Sequence, residues 1–216
     1  MTAPQSRMKV SLWALSIGGA SLAAPFMALA HHAHDYAPPE TAWQGLASGL
    51  AHPFLSIPHF VALMVLGLLA AATGAGVRVV GLFCAGSLAT ALAFATGAAQ
   101  WPAHDLWVAA TLAMGAVALW RYRNRPVPAN WAGMVLMVAA GSIHGQIAAE
   151  SIEAASAVIL ASYWCGIVAV QAALGGIVLT AAHRLELRRF DTGVRLRMGG
   201  AILSACATLA VLMSGA

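Results

Sequence analysis

The sequence predicts an all-α fold: a polytopic membrane helix bundle of six transmembrane helices behind a cleaved signal peptide. Its composition, the spacing of its apolar blocks and the one-sided placement of its arginines predict it. The 216-residue chain is 61% hydrophobic and 8% charged, with a mean hydropathy of +0.80, far from the average soluble domain. A bilayer core about 30 Å thick takes roughly 20 apolar residues per helix. The chain therefore has room for about six or seven spans with short loops and none for a soluble domain. Its net charge of +4 belongs to loops, so the lipid bilayer is the expected partner and nucleic acid is not.

Residues 1–30 have the layout of a secretory signal. Arg7 and Lys9 precede an apolar run from Val10 that ends in "FMALA", with Ala28 and Ala30 at the positions a signal peptidase reads. The alternative is an uncleaved first span. After cleavage the chain starts "HHAHDYAPPE", and residues 31–42 form a His-rich periplasmic segment. A free amine at His31, with His32 and His34, could hold a cupric or nickel ion; the alternative is a solvated tail.

Residues 43–216 form the transmembrane domain, in six apolar blocks: Trp43 to Ala72, Val77 to Ala99, Leu106 to Trp120, Trp131 to Ala149, Ala154 to Ala182 and Leu196 to Gly215. Arg78 follows the first block, Arg121, Arg123 and Arg125 the third, and Arg184, Arg188, Arg189, Arg195 and Arg197 the fifth. The segments after the second and fourth blocks carry neither Lys nor Arg. By the positive-inside rule both mature termini are then periplasmic, in a bacterial inner membrane. Trp43, Trp101 and Trp107 at one face and Trp120 and Trp131 at the other fit an aromatic belt. Tyr163 and Trp164 fall inside the fifth block and read as packing residues. Cys84, Cys165 and Cys206 lie in three different blocks without a C-x-x-C pair and read as small core residues, with Cys84 a remote candidate soft-metal ligand.

On this topology His31, His32, His34, His52, His59, His104 and His144 lie in the outer half, with Asp35, Glu40, Asp105, Glu150 and Glu153. Such a surface lacks fixed cations and offers the donors that borderline metals prefer. In "GLAHPFLSIPHFVALM", Pro53 and Pro58 cannot both sit deep in one regular helix. A short outer helix, a break near His52 to Ser56 and then the true span are expected. Broken backbone at membrane depth is tolerated where it is buried in protein or faces water, and transporters build ion sites there. His52 and His59 are candidate ligands on that ground; the alternative for His52 is an interfacial histidine with one backbone partner. His144 lies six residues before Glu150, roughly 9 Å along the helix, at a depth where ionisable residues mark ion or proton pathways. The alternative there is a hydrogen-bonded helix contact. Gly141 and Gly145 beside it would let another helix approach, and the one carrying His59 is the expected neighbour.

These residues resemble the HupE/UreJ nickel-permease-like membrane proteins. That family's pattern is a signal peptide, a His-containing mature start, "HPxxGxDHxxAM" opening the first span and "HGxAHGxE" in the fourth. Here the first element stands as His52-Pro53, Ser56 for Gly, Pro58 for Asp, then His59, Ala62 and, one residue late, Met64. The second stands as His144-Gly145 with Glu150 one residue closer, and without its second histidine. The missing Asp removes a negative charge from the site. Imidazoles with a nearby thioether such as Met64 would favour copper(I), whereas imidazoles with Glu150 suit nickel or cobalt.

The resemblance implies an inner-membrane permease for nickel or a similar transition-metal cation, cobalt and copper included, through a site of His52, His59, His144 and Glu150. A second reading is a non-transporting membrane metal-binding or assembly subunit, copper being a candidate, that hands metal to a neighbouring metalloenzyme; a metalloenzyme maturation partner or a second copy of the chain is the protein partner to expect. A third is a purely structural subunit. No nucleotide-binding loop, nucleophile–base arrangement or C-x-x-C-H haem site is present, so no enzyme is expected.

Overall fold

Away from water, a membrane segment must satisfy its own backbone polar groups, and a helix does so within itself. The computed structural model describes residues 39–97, 102, 104–150, 152, 156–188 and 190–214. The expected signal peptide and His31, His32 and His34 lie outside the described residues. Among those described there are seven helices and no strand: α1 Ala42–Leu55, α2 Ile57–Thr73, α3 Val77–Ala95, α4 His104–Arg121, α5 Trp131–Glu150, α6 Ala157–Arg188 and α7 Phe190–Ser214.

The first apolar block is broken as its prolines require. α1 opens on a capping box: Gln44 N–H donates to Thr41 Oγ1 at 3.2 Å and Thr41 N–H to Gln44 Oε1 at 3.0 Å. It ends at Ser56, which has extended backbone (φ −119°, ψ 106°), and α2 leaves at 82° to it. Pro58 sits in the first turn of α2, where a missing N–H costs nothing. α2 ends on Gly74 at φ 65°, the left-handed cap glycine adopts without strain.

α3, α5, α6 and α7 are each long and apolar enough to cross a membrane, and α1 with α2 makes a fifth candidate if the bent pair is one span. α4 includes His104, Asp105 and Arg121 in its 18 residues, which shortens its apolar stretch. By length and composition the count therefore reaches five. The arginine segment after the fifth block, expected as a loop, is helical up to Arg188 and again from Phe190. Leu, Glu and Arg fill it, and all three are strong helix formers.

Contacts fix the helix directions. Phe83 meets Gly141 and Ser87 meets Gly145, so α3 and α5 run parallel; Gly45 meets Ile159 and Gly49 meets Tyr163, so α1 and α6 do too. α4 and α7 run antiparallel, because Ser204 Oγ donates to Leu112 O at 2.7 Å and Arg197 Nη1 donates to Tyr122 O at 3.0 Å. Six blocks that alternate in direction along the chain give this pattern. Val127 N–H donates to Ala72 O at 2.9 Å, setting the loop after α4 on the end of α2, and Arg197 Nη1 also donates to Arg125 O at 3.0 Å. Arg78, Arg121, Arg123, Arg125 and Arg197 thus share one end of the bundle. Trp120 and Trp131 are exposed towards that end and Trp43 and Trp107 towards the other.

α2 is the central helix, buried at every position from Val61 to Ala72 except Met64. The partner that Gly141 and Gly145 admit is α3, not the helix carrying His59 as expected from the sequence. The close approach is reciprocal, since Gly86 of α3 lies against the Val138 carbonyl of α5. Of the three cysteines only Cys84 is buried, while Cys165 and Cys206 are exposed. An apolar helix has no sequence mark separating a lipid-facing side from a core-facing one, so the reading of all three as core residues is corrected.

Two outcomes follow. In a background with the native cysteines replaced by alanine, Ser156→Cys should react with an impermeant thiol reagent in intact cells. Arg123→Cys should react only after permeabilisation, as the positive-inside rule requires; the reverse pattern would invert the topology. Gly141→Ala would drive a methyl onto the Phe83 carbonyl, whereas Gly81 has open space around it. Overpacking costs about 1–3 kcal/mol, so thermal unfolding in detergent should fall for Gly141→Ala and hold for Gly81→Ala.

Candidate metal centre

The break at Ser56 turns the last turn of α1 and the first turn of α2 towards each other, and this brings His52 to His59. Their ring centroids are 5.0 Å apart with the planes at 77°. α5 contributes the third ring: His59 and His144 are also 5.0 Å apart, at 84°. The three imidazoles form a row with His59 in the middle. His59 and His144 are buried and His52 is partly exposed.

Each ring uses one nitrogen on a hydroxyl group. His52 Nδ1 is 3.0 Å from Tyr163 Oη, His59 Nδ1 is 2.7 Å from Ser56 Oγ, and His144 Nε2 is 3.0 Å from Thr111 Oγ1. Ser56 could have capped α2, and its side chain makes no cap bond; it serves His59 instead. Two of the hydroxyls are tied further: Tyr163 donates to Ala148 O at 2.9 Å and Thr111 to Val108 O at 2.8 Å. The other nitrogens, His52 Nε2, His59 Nε2 and His144 Nδ1, are buried without a hydrogen-bond partner. Buried polar atoms are nearly always paired, so three orphans in one cluster need a reason.

Of the residues singled out in the sequence, the fold brings His52, His59 and His144 together. Glu150 is the last residue of α5, and its side chain lies outside what the structure describes. Among the described residues no three His, Cys, Asp or Glu side chains are already set as a ligand group; the rings stand edge to face and must turn to share an ion. Sequence reasoning passed over Tyr163, Thr111 and Ser56. Ser56 stood inside the quoted motif and Tyr163 was noticed for its depth, whereas nothing marked Thr111 among ordinary helix threonines.

A cavity of about 350 Å³ begins at His144 and Thr111 and runs between α2, α3, α4 and α5 to Arg78, Tyr122 and Asn130. Its walls are apolar for most of that length, with Leu66, Phe83 and Met137 among them. It joins the histidine row to the arginine end of the bundle.

A multi-helix membrane bundle with a buried row of histidines is what fold and site define. The family model described as HupE / UreJ protein matches residues 19–210, nearly the whole chain, and the chain belongs to that family. The family is associated with nickel and cobalt transport. No curated protein and no solved structure matches the chain.

Proposed function

We propose that this protein is an inner-membrane permease for nickel or a similar transition-metal cation, taken up from the periplasmic side. The observation that carries the reading is the row of three imidazoles, each with one nitrogen held by a hydroxyl and the other buried without a partner. Metal-bound histidines have this pattern, one nitrogen on the ion and the other fixed by an outer partner. Zinc–imidazole bonds are about 2.0–2.1 Å long, and rings 5.0 Å apart need only turn about their side-chain bonds to put two nitrogens on one ion.

His52, partly exposed at the break, receives the ion, with Glu150 supplying a carboxylate from the same end of α5 and the His31, His32 and His34 segment collecting metal outside. His59 and His144 then hold it in the interior, and the cavity below His144 leads it to the arginine end. Nickel is the first cargo to test because of the family association, with cobalt and copper beside it. Imidazole suits all three, so the donor type alone does not choose between them.

Reconstituted into proteoliposomes, the protein should accumulate nickel. The double variant His59→Ala with His144→Ala should reduce uptake to that of protein-free vesicles while yielding as much helical protein. Parental uptake of nickel, cobalt and copper in the double variant would remove the site, and nickel binding without flux in the parental protein would make it a binding or assembly subunit.

The cavity gives a separate test. Ala140 lines it on α5, one turn from His144, and Ala140→Phe would fill it. Uptake should be lost while nickel binding measured in detergent stays at the parental affinity. Unchanged uptake would place the exit route elsewhere.

A further inference from the structure

We infer that Thr111 and Tyr163 are positioning residues that decide which nitrogen of His144 and of His52 is free to meet the ion. The consequence for metal rests on the reading above, but the wiring stands on hydrogen bonds alone. A hydroxyl has a single hydrogen, and a carbonyl oxygen only accepts. Thr111 Oγ1 lies 2.8 Å from Val108 O, which commits that hydrogen. Its contact at 3.0 Å with His144 Nε2 must then run the other way, from Nε2–H to Oγ1. A neutral imidazole carries one N–H. The lone pair therefore sits on Nδ1, the nitrogen of His144 that has no partner.

The same reasoning applied to a different helix gives the opposite nitrogen. Tyr163 Oη is 2.9 Å from Ala148 O and 3.0 Å from His52 Nδ1. The phenol hydrogen goes to the carbonyl, Nδ1–H donates to the phenol, and Nε2 of His52 keeps the lone pair. That is again the nitrogen without a partner. In both cases a backbone carbonyl of a membrane helix fixes a hydroxyl that fixes an imidazole. His59 is wired differently, because its hydroxyl partner Ser56 makes no onward bond to a carbonyl among the described residues. Its hydroxyl can donate or accept, so the middle ring is free to take either tautomer between two neighbours that are not.

Removing the hydroxyl leaves the N–H without an acceptor and gives the free nitrogen no reason to stay unprotonated. Outer partners of metal-bound histidine are typically worth about 10–100-fold in metal affinity, and losses in that range are expected for Thr111→Val and Tyr163→Phe. Thr111→Ser, which keeps the hydroxyl, should restore binding.

The direct test is nitrogen NMR of metal-free protein labelled with ¹⁵N-histidine, with His52→Gln and His144→Gln used to assign signals, alongside nickel titration in detergent. His144 should be protonated at Nε2 and His52 at Nδ1; Thr111→Val should change the first pattern and Tyr163→Phe the second. A parental His144 protonated at Nδ1, or a parental His52 protonated at Nε2, would overturn the wiring. Unaltered nickel affinity in both Thr111→Val and Tyr163→Phe, with helical content intact, would overturn their positioning role. Predicted tautomers in a parental protein that binds no nickel, cobalt or copper would instead overturn the metal reading and support the wiring.

Discussion

The break at Ser56 is the constraint on which the histidine row depends. A continuous helix from Ala42 to Thr73 would place His52 and His59 two turns apart along one face, separated by about 10 Å of rise. Their rings would then not meet. Two prolines work against that helix: neither Pro53 nor Pro58 has an N–H to give, and the chain breaks at Ser56, whose backbone is extended just before α2 begins. The chain turns by 82°, and two side chains seven residues apart come within 5.0 Å. Phe54, Leu55 and Ile57 at the turn stay exposed, while Tyr163 of α6 and His144 of α5 cover the rings of His52 and His59 on its inner side.

That cover exists because pairs of helices approach to backbone contact. Gly45 and Gly49 of α1 sit against α6, and Gly166 of α6 sits against Leu46 and Leu50, which brings Tyr163 within reach of His52. Gly86, Gly141 and Gly145 do the same for α3 and α5, and Ser87 and Ser142 donate across the contact to Gly141 O and Gly86 O at 3.0 and 3.1 Å. Lipid gives helices no hydrophobic reason to associate, so close packing and such interhelical hydrogen bonds hold them together. α5 cannot slide without breaking both, and His144 inherits that rigidity. The middle ring, on α2 just past the break, has Ser56 as its hydroxyl partner, and that hydroxyl has no onward carbonyl bond among the described residues. The row thus joins two held rings and one adjustable ring.

The fold was legible because its signals are long. Apolar blocks near span length, arginines on alternate connections and two prolines within six residues predict helices, direction and break in turn from simple geometry. Contacts between distant segments were not legible. Nothing local to Gly141 says whether α2 or α3 fills its groove, and nothing in Tyr163 announces a histidine on another helix 111 residues away. The helical continuation through Arg184 and Arg188 was hidden for a different reason: charge marks where a span leaves the bilayer, not where the helix ends. His52, His59 and His144 could be picked out because an imidazole in an apolar block is conspicuous. Thr111 could not, since a threonine in a membrane helix can satisfy its own hydroxyl on a carbonyl of the preceding turn, as it does here with Val108.

On the permease reading proposed above, a cation leaving the histidine row would meet arginines at the far end, and the two charges would be expected to oppose each other. The distances decide otherwise. Trp131 and His144 are the start and the interior of one helix, thirteen residues or roughly 20 Å apart at the usual helical rise. Exposed charges at physiological salt are screened over about 8 Å, so arginines in water at that end contribute little potential at His144. Near the mouth Arg78 is exposed beside Tyr122 and Asn130, and a hydrated ion arriving there is already outside the low-dielectric interior. On the permease reading the cost of passage lies in the apolar middle of the cavity, walled by Leu66, Phe83 and Met137. On that reading, a cation crossing this stretch keeps part of its hydration shell, because burying a bare charge among apolar walls is costly, and the resistance to flux then lies there and not at the arginine end.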